Sequence, residues 1–413
     1  MVKKVVVVGG GPSGMMAAIR ASQLSPDTFL VEKNPGLGKK LLLSGKGRCN
    51  LTNACDLDVF LERFSENGAF LRDAFKKFFN VELMDFFQKR GLKLKTERQL
   101  RVFPVTDKAE SINQVLHREL IENKVRIICS KSLKNIIVEN GVVKGIVLED
   151  GEIINADSII LATGGASYNF TGSTGDGINI AKKLGHRIEP LHPGLVPLET
   201  KGRTAFLLKG LTLKNIRLKF YTAKKEIVSE IGELLFTHFG VSGPLALTLS
   251  GKIGEWLLKK ERVFLEIDLK PALSSEQLEN RLLREFKANP KKSIKNTLKE
   301  LLPLRMVEVF LGICGIDETK NTSQITQEER RNLVKFLKKF PLEVSGTRPL
   351  NEGMVTRGGV SLKDINPRTM ESRIIKGLYF AGEIMDIDAD TGGFNLQAAF
   401  STGYLAGESA ALN

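Results

Sequence analysis

The chain has 413 residues, 42% of them apolar and 26% charged. This is the composition of an ordinary globular protein, and the length predicts two or three domains rather than one core. Its four cysteines (Cys49, Cys55, Cys129, Cys314) are scattered without CxxC spacing, which argues against a disulfide framework and against a zinc site, so no metal is expected. The net charge of +14 is uneven: residues 191–345 hold 27 Lys and Arg against 18 Asp and Glu. That excess suits anionic partners such as nucleic acid or cofactor phosphates, although a Lys-rich solvated surface is the plainer reading.

The chain opens MVKKVVVVGGGPSG. Its apolar run of four valines is too short for a signal-peptide core or a membrane span, and no later segment reaches spanning length. The expectation is a cytoplasmic protein with no membrane partner. KVVVVGGG reads as a buried parallel strand, PSGMMAAIRASQL as a helix and TFLVEK as a second strand, together one β-α-β unit. Gly9, Gly11 and Gly14 fall between the first strand and the helix, and Glu32 closes the second strand. In this motif the first glycine makes the tight turn, the second admits a pyrophosphate to the backbone and the third lets helix pack on strand. The helix N-terminus then faces the phosphates, and the acid can accept from ribose hydroxyls.

Helical patterns follow near 57–65, 69–79 and 82–90, and Ser111 is a candidate cap for a helix after Pro104. Strand-like alternation resumes after 124. Asn140-Gly141 and Asp150-Gly151 read as hairpin turns, and SIILATGG as another buried strand running into glycine. From about 191 to 272, several segments alternate at period two and predict a small antiparallel barrel or sandwich. From 273 to 340 charged amphipathic helical patterns take over, broken at Pro290 and Pro303. After 346 the glycines return, and GLYFAGE is once more a strand, ending at Glu383. The expected organisation is an α/β domain made of residues 1–190 and 347–413. It is interrupted by a β-barrel (191–272, with about 341–346) and a helical insert (273–340).

A second nucleotide-facing strand and a third at the C-terminus are more than a simple NAD dehydrogenase needs. TGGFNLQAAFSTGYLAG begins a helix whose N-terminus, near Gly393 and Asn395, could meet a flavin's polar edge, while its small residues could instead serve close helix packing. The stretch SGKGRCNLTN places an arginine, a thiol and two amides in one Gly-flanked loop.

Taken together, GGGPSG, SGKGRCNLTN, ATGG, GSTGDG, GELLFTHFGVSGP, VTRGGV and GLYFAGEIMDIDADTGGFNLQ resemble the BaiN/RdsA family of NAD(P)/FAD-dependent oxidoreductases, also described as aminoacetone-oxidase-like flavoproteins. The resemblance runs from about residue 3 to the C-terminus. It departs at Lys46, Asn169 and Phe394, where glycine, proline and tyrosine are common. It implies a Rossmann-like FAD-binding domain of glutathione-reductase type, interrupted by a barrel and a small helical insert. The FAD-facing positions it implies are Gly9, Gly11, Pro12, Ser13, Gly14, Glu32, Lys33, Lys40, Ser44, Gly45, Gly47, Arg48, Cys49, Asn50, Thr163, Gly164, Glu383, Gly393, Phe394, Asn395, Leu396 and Gln397. Arg48 could offset charge on a phosphate or on reduced flavin, and Lys40 could do so at the pyrophosphate. Cys49 has two readings: a weak acid that protonates a substrate carbon, or a small buried filler. With one dinucleotide fingerprint, NAD(P)H is expected only as a transient donor to the flavin, the alternative being an oxidase that discharges to oxygen. The substrate is expected to be a small molecule bound between the FAD domain and the insert. Because part of the family is associated with ribosomal-RNA dihydrouridine formation, ribosomal RNA is a possible partner. Its platform would be the segment 281–299, with seven Lys and Arg against one acid, Glu285.

Overall fold

The computed structural model describes residues 2–65 and 67–413. They divide into two units, residues 1–194 with 350–413, and residues 195–349.

The first unit is built on a five-stranded parallel sheet. Its order is Leu378–Phe380, Ser158–Leu161, Val5–Val8, Thr28–Val31, Arg126–Ile128. The three inner strands are buried on both faces, which is why they read as continuous apolar runs rather than as alternation. Helix Pro12–Leu24 starts directly after the Gly turn, with Gly11 as N-cap and Pro12 in the first position. It crosses helix Phe394–Leu412. A Cβ on Gly403 or Gly407 would strike the backbone carbonyl of Ser13 or Ala17, so these two helices meet backbone to backbone. Gly403 and Gly407 are therefore packing residues.

Both predicted hairpins are present. Leu133–Glu139 pairs with Val142–Leu148, and the latter with Ile153–Asn155. Asn140 and Gly141 both take positive φ, 50° and 74°, as a tight two-residue turn requires. The Ser111 expectation is corrected. The helix runs Ala109–Glu122 from a Lys108 N-cap, and the Ser111 hydroxyl instead pairs with Thr106 Oγ1 at 2.8 Å. Strand Ile188–Gly194, expected to belong partly to the barrel, pairs antiparallel with Val355–Val360 inside the first unit.

In the second unit six antiparallel strands close into a barrel. Thr212–Tyr221 pairs with Gly232–Phe236, and the ring continues through Gly240–Ser242, Leu198–Thr200, Phe340–Thr347 and Val263–Asp268 back to Thr212–Tyr221. Glu226–Val228 adds outside this ring. The alternation read from the sequence is the inside–outside alternation of these strands. Helices Ser275–Ala288, Ile294–Leu298, Leu304–Cys314 and Gln327–Lys338 form the insert and share one apolar core with the barrel. Helix Pro244–Leu258, like the short helix Thr204–Leu207, lies within the 191–272 span expected to be barrel. It buries Ala246, Leu247, Ser250, Ile253 and Trp256 along one face.

Candidate functional site

The Gly-rich turn shows three glycines with three different reasons. Gly9 has φ of 109°, and a Cβ there would run into the carbonyl of Ala162. A Cβ on Gly14 would run into the carbonyl of Gly9. At Gly11 a Cβ would meet nothing within 4 Å. Gly9 and Gly14 are thus required by the protein's own packing, whereas Gly11 leaves a bare approach to the backbone at the N-terminus of a thirteen-residue helix. That is the place and polarity a pyrophosphate needs.

Glu32, 9% exposed, accepts from Gly10 N at 2.6 Å with Oε2, and from the backbone and side chain of Asn34 at 2.7 and 2.6 Å with Oε1. The carboxylate is clamped at the edge of the turn. Lys33 reaches across to Thr174 Oγ1 (2.6 Å) and Asp176 Oδ2 (2.7 Å). Residues of the GSTGDG turn are thereby brought to the end of the second strand. The Lys33 ammonium is the main favourable influence that holds the Asp176 carboxyl low against its burial.

A second cluster joins four distant segments. Lys40 Nζ donates to both oxygens of Glu383 (2.7 and 3.0 Å) and to Ser167 Oγ (2.9 Å). Glu383 Oε1 also accepts from Ser167 Oγ (3.0 Å) and Thr356 N (2.7 Å), and Thr356 Oγ1 accepts from Ala166 N (2.8 Å). Lys40 and Glu383 were expected separately, as phosphate partner and strand end. The structure makes them each other's partner. Ser167 and Thr356 were not anticipated as site residues, although Ser167 follows ATGG by two positions and Thr356 is the threonine of VTRGGV. Beside this cluster, a Cβ on Gly382 would lie 2.5 Å from Ser13 Oγ, so Ser13 is covered by the turn that carries Glu383.

The loop 44–50 has an unusual backbone. Gly45, Lys46, Gly47 and Cys49 have φ of 58°, 59°, 84° and 59°, left-handed values that are costly for the two non-glycine residues. Cys49 N–H closes the loop on Ser44 C=O at 3.0 Å, and Ser44 Oγ donates to Leu41 C=O at 2.7 Å. Arg48 binds Glu97 at 2.5 Å and Asp107 at 2.5 and 2.8 Å, with its guanidinium 4.3 Å from the centre of the Phe103 ring. It is a staple between this loop and the 95–107 ribbon. The Cys49 thiol is fully buried, and burial pushes its pKa up to about 12.

The loop then runs into the start of the C-terminal helix. Gly393 (φ 96°) lies against the backbone of Thr52, and Asn53 Nδ2 donates to Gly392 C=O at 3.3 Å. Buried Gln397 accepts from Thr52 Oγ1 at 2.6 Å and donates to Ser401 Oγ at 3.0 Å. Asn395 exchanges bonds with the backbone of Ala389 at 2.8 and 2.9 Å. Phe394 packs edge-on to Phe60 at 4.7 Å, and Leu396 lies against the unit's core. These side chains fasten the helix start to the loop.

Two of the expected cofactor-facing side chains keep buried polar atoms without a partner among the described residues: Asn50 Oδ1 and Thr163 Oγ1. Thr163 follows the strand next to Val5–Val8 and precedes Gly164, which has φ of 75°. Buried polar atoms are ordinarily paired, so these two sites suit the polar edges of a bound nucleotide. The Gly turn, the orphaned Asn50 and Thr163, and the helix N-terminus together fit FAD. Among the described residues no group of His, Cys, Asp or Glu could hold a metal ion, and no helix is long and apolar enough to cross a membrane.

Comparison with known proteins gives a consistent picture. The profile of the HI0933-like protein Rossmann domain matches residues 3–409. The chain is 30% identical over 412 residues to the 3-dehydro-bile acid delta(4,6)-reductase of Clostridium scindens, covering 99% of both proteins. It is 29% identical over 404 residues to the ribosomal RNA dihydrouridine synthase of Haemophilus influenzae, covering 97% of this chain and 96% of that one. Among solved structures, it resembles the 3-ketosteroid delta1-dehydrogenase of Sterolibacterium denitrificans, with 15% identity, TM-score 0.52 and 99% of both chains covered. At that identity the likeness is one of fold.

Proposed function

The chain belongs to the HI0933-like Rossmann family of FAD-dependent oxidoreductases, and from that premise we propose that it reduces a carbon–carbon double bond conjugated to a carbonyl. The names of two relatives share this chemistry. A 3-oxo steroid with 4,6-unsaturation and a uracil ring both present such a bond. In each, saturation means hydride addition to a carbon remote from the carbonyl and protonation of the carbon nearer to it.

When bound, FAD supplies the two-electron step, taking hydride from a donor and passing it to carbon. The chain's residues would hold it. The N-terminus of helix Pro12–Leu24 would face the pyrophosphate over Gly11, Glu32 would meet the ribose, and Asn50 and Thr163 would pair their free oxygens with its polar edges. Lys40 and Glu383 would fix the segments 163–167 and 355–357 around it. NAD(P)H would be a transient donor, because the chain carries one dinucleotide fingerprint. Full enclosure of Cys49 favours its role as filler over that of proton donor. The observation that carries the reading is the bare backbone at Gly11 beside a helix N-terminus, in a chain that matches the family along nearly its whole length.

Ribosomal RNA is the second reading. Arg284, Lys287, Lys291 and Lys299 are exposed, which favours an electrostatic platform. Lys292 and Lys295 are already paired with Glu300 and Glu318, which lowers the charge the platform offers. The test supplies the FAD-loaded chain anaerobically with NADPH or NADH, and with either a 3-oxo-4,6-unsaturated steroid acid or large-subunit rRNA. Donor-dependent product heavier by two hydrogen atoms is expected with one of them. No such product from either, with oxygen consumed on an amino-ketone instead, would make the protein an oxidase.

A further inference from the structure

The barrel unit holds a cavity of about 280 Å³ that the flavin reading does not use. Its floor is aliphatic: Ile216, Leu269 and Leu302 line it, each at most 5% exposed. Its polar side is cationic. Lys214 and Lys270 line it, and so does Pro303, which caps the eleven-residue helix Leu304–Cys314. The N-terminal end of that helix adds partial positive charge to the same rim. Lys214 itself lies in a bulge. Strand Thr212–Tyr221 slips register between Leu213 and Ile216, and Asn215 there has φ of 53°, a device that re-aims neighbouring side chains.

Lys270 is the telling residue. It is half-buried, and among the described residues no carboxylate lies within ion-pair distance of its ammonium. Asp268 binds Lys338 at 2.6 Å, and with its other oxygen accepts from the backbone N–H of Lys270 at 3.0 Å. Burial first, and the neighbouring Arg281 second, disfavour the charge on Lys270 and hold its pKa below the ordinary lysine value. The other partly covered lysines of this unit have acids: Lys219 has Glu226, Lys292 has Glu300, Lys295 has Glu318, Lys320 has Glu329 and Lys338 has Asp268. An ammonium drawn out of water beside a second cation is costly until an anion joins it.

We propose that this cavity binds a small organic anion, its apolar body on the floor of Ile216, Leu269 and Leu302 and its oxyanion head between Lys214 and Lys270. The volume falls just below the roughly 300–1,000 Å³ of drug-sized ligand sites, which fits a short-chain carboxylate or phosphate ester.

Calorimetric titration of the full chain with octanoate, octanol and inorganic phosphate tests it. Octanoate is expected to bind at least about tenfold more tightly than either of the others, a difference of about 1.4 kcal/mol. Octanol binding as well as octanoate would remove the role of the lysines, and phosphate binding as well would remove the role of the floor. Absent octanoate binding would overturn the site. Lys270→Met is expected to weaken octanoate about tenfold, with Lys270→Arg retaining it. Unchanged affinity in Lys270→Met would place the ligand elsewhere. Without ligand, Lys270→Met is also expected to raise Tm, because it removes an uncompensated charge. A lowered Tm with Lys270→Arg intact would mean the ammonium already has its partner.

Discussion

Gly9, Gly11 and Gly14 look alike in a sequence and differ in the folded chain. Their distinction makes a prediction that separates folding from cofactor binding. Gly14→Ala forces a Cβ against the Gly9 carbonyl and is expected to cost about 1–3 kcal/mol of stability. Gly11→Ala places its Cβ in open space, so the cofactor-free protein should melt within a degree or two of the parent while its FAD content falls. A Gly11→Ala protein that melts as early as Gly14→Ala would show that this glycine serves packing. Thermal unfolding and flavin content of the two variants decide it.

Cys49 gives a pH signature. Its folded pKa of about 12 stands above the roughly 8.5 of an unfolded thiol, so folding favours the neutral form. The stability this contributes is fully present below pH ~8.5 and is lost as pH rises from there toward 12, at up to about 1.4 kcal/mol per unit. Cys314, also pushed up to about 12 by burial, acts in the same sense. Denaturant titrations from neutral to alkaline pH should show this decline, and Cys49→Ala should make it shallower. An equal slope in the variant would mean that the thiol is not enclosed. The motif containing Cys49 was visible in the sequence. Its burial was not: the loop takes four positive φ values, two of them at the non-glycine residues Lys46 and Cys49, which spacing does not announce.

Between elements, one polar join in the first unit ties four segments: the Lys40–Glu383 pair with Ser167 and Thr356. It fastens helix Lys39–Leu43, the segment after strand Ser158–Leu161, strand Val355–Val360 and the turn Gly382–Ile384. Glu383→Gln would leave a partly covered ammonium short of its counter-charge and is expected to cost roughly 1–3 kcal/mol. It should also lower FAD retention, because the segment 163–167 loses its anchor. An unchanged melting temperature would show the pair to be decoration. Such joins are illegible in a single sequence, since Lys40 and Glu383 are 343 positions apart and each had a plausible solitary role. Elements with one dominant period were legible: the Val5–Val8 strand, the hairpins at Asn140 and Asp150, and the amphipathic helices of the insert. Helix Pro244–Leu258 was missed although Gly243 and Pro244 mark its start. Its flanks, Gly240–Ser242 and Val263–Asp268, are true strands, and the segment between them was enclosed in the barrel range without a reading of its own.

At the scale of the molecule, a nucleotide-binding sheet begins at Val5, is left after residue 194, and is completed by Leu378–Phe380. That interruption was legible because glycine-ended apolar strands recur on both sides of a stretch with different periodicity. The partners of Lys33 and Arg48 were not, since Thr174, Asp176, Glu97 and Asp107 arrive from distant turns and strands. The FAD cradle proposed above draws on the Gly9–Gly14 turn, the 44–50 loop, Thr163 and the start of the C-terminal helix. The most direct test is the cofactor that the purified chain retains after reconstitution. Acid denaturation is expected to release FAD, equimolar with chain and none of it covalently attached. Release of FMN, flavin that stays on the polypeptide, or no bound flavin at all would contradict the account.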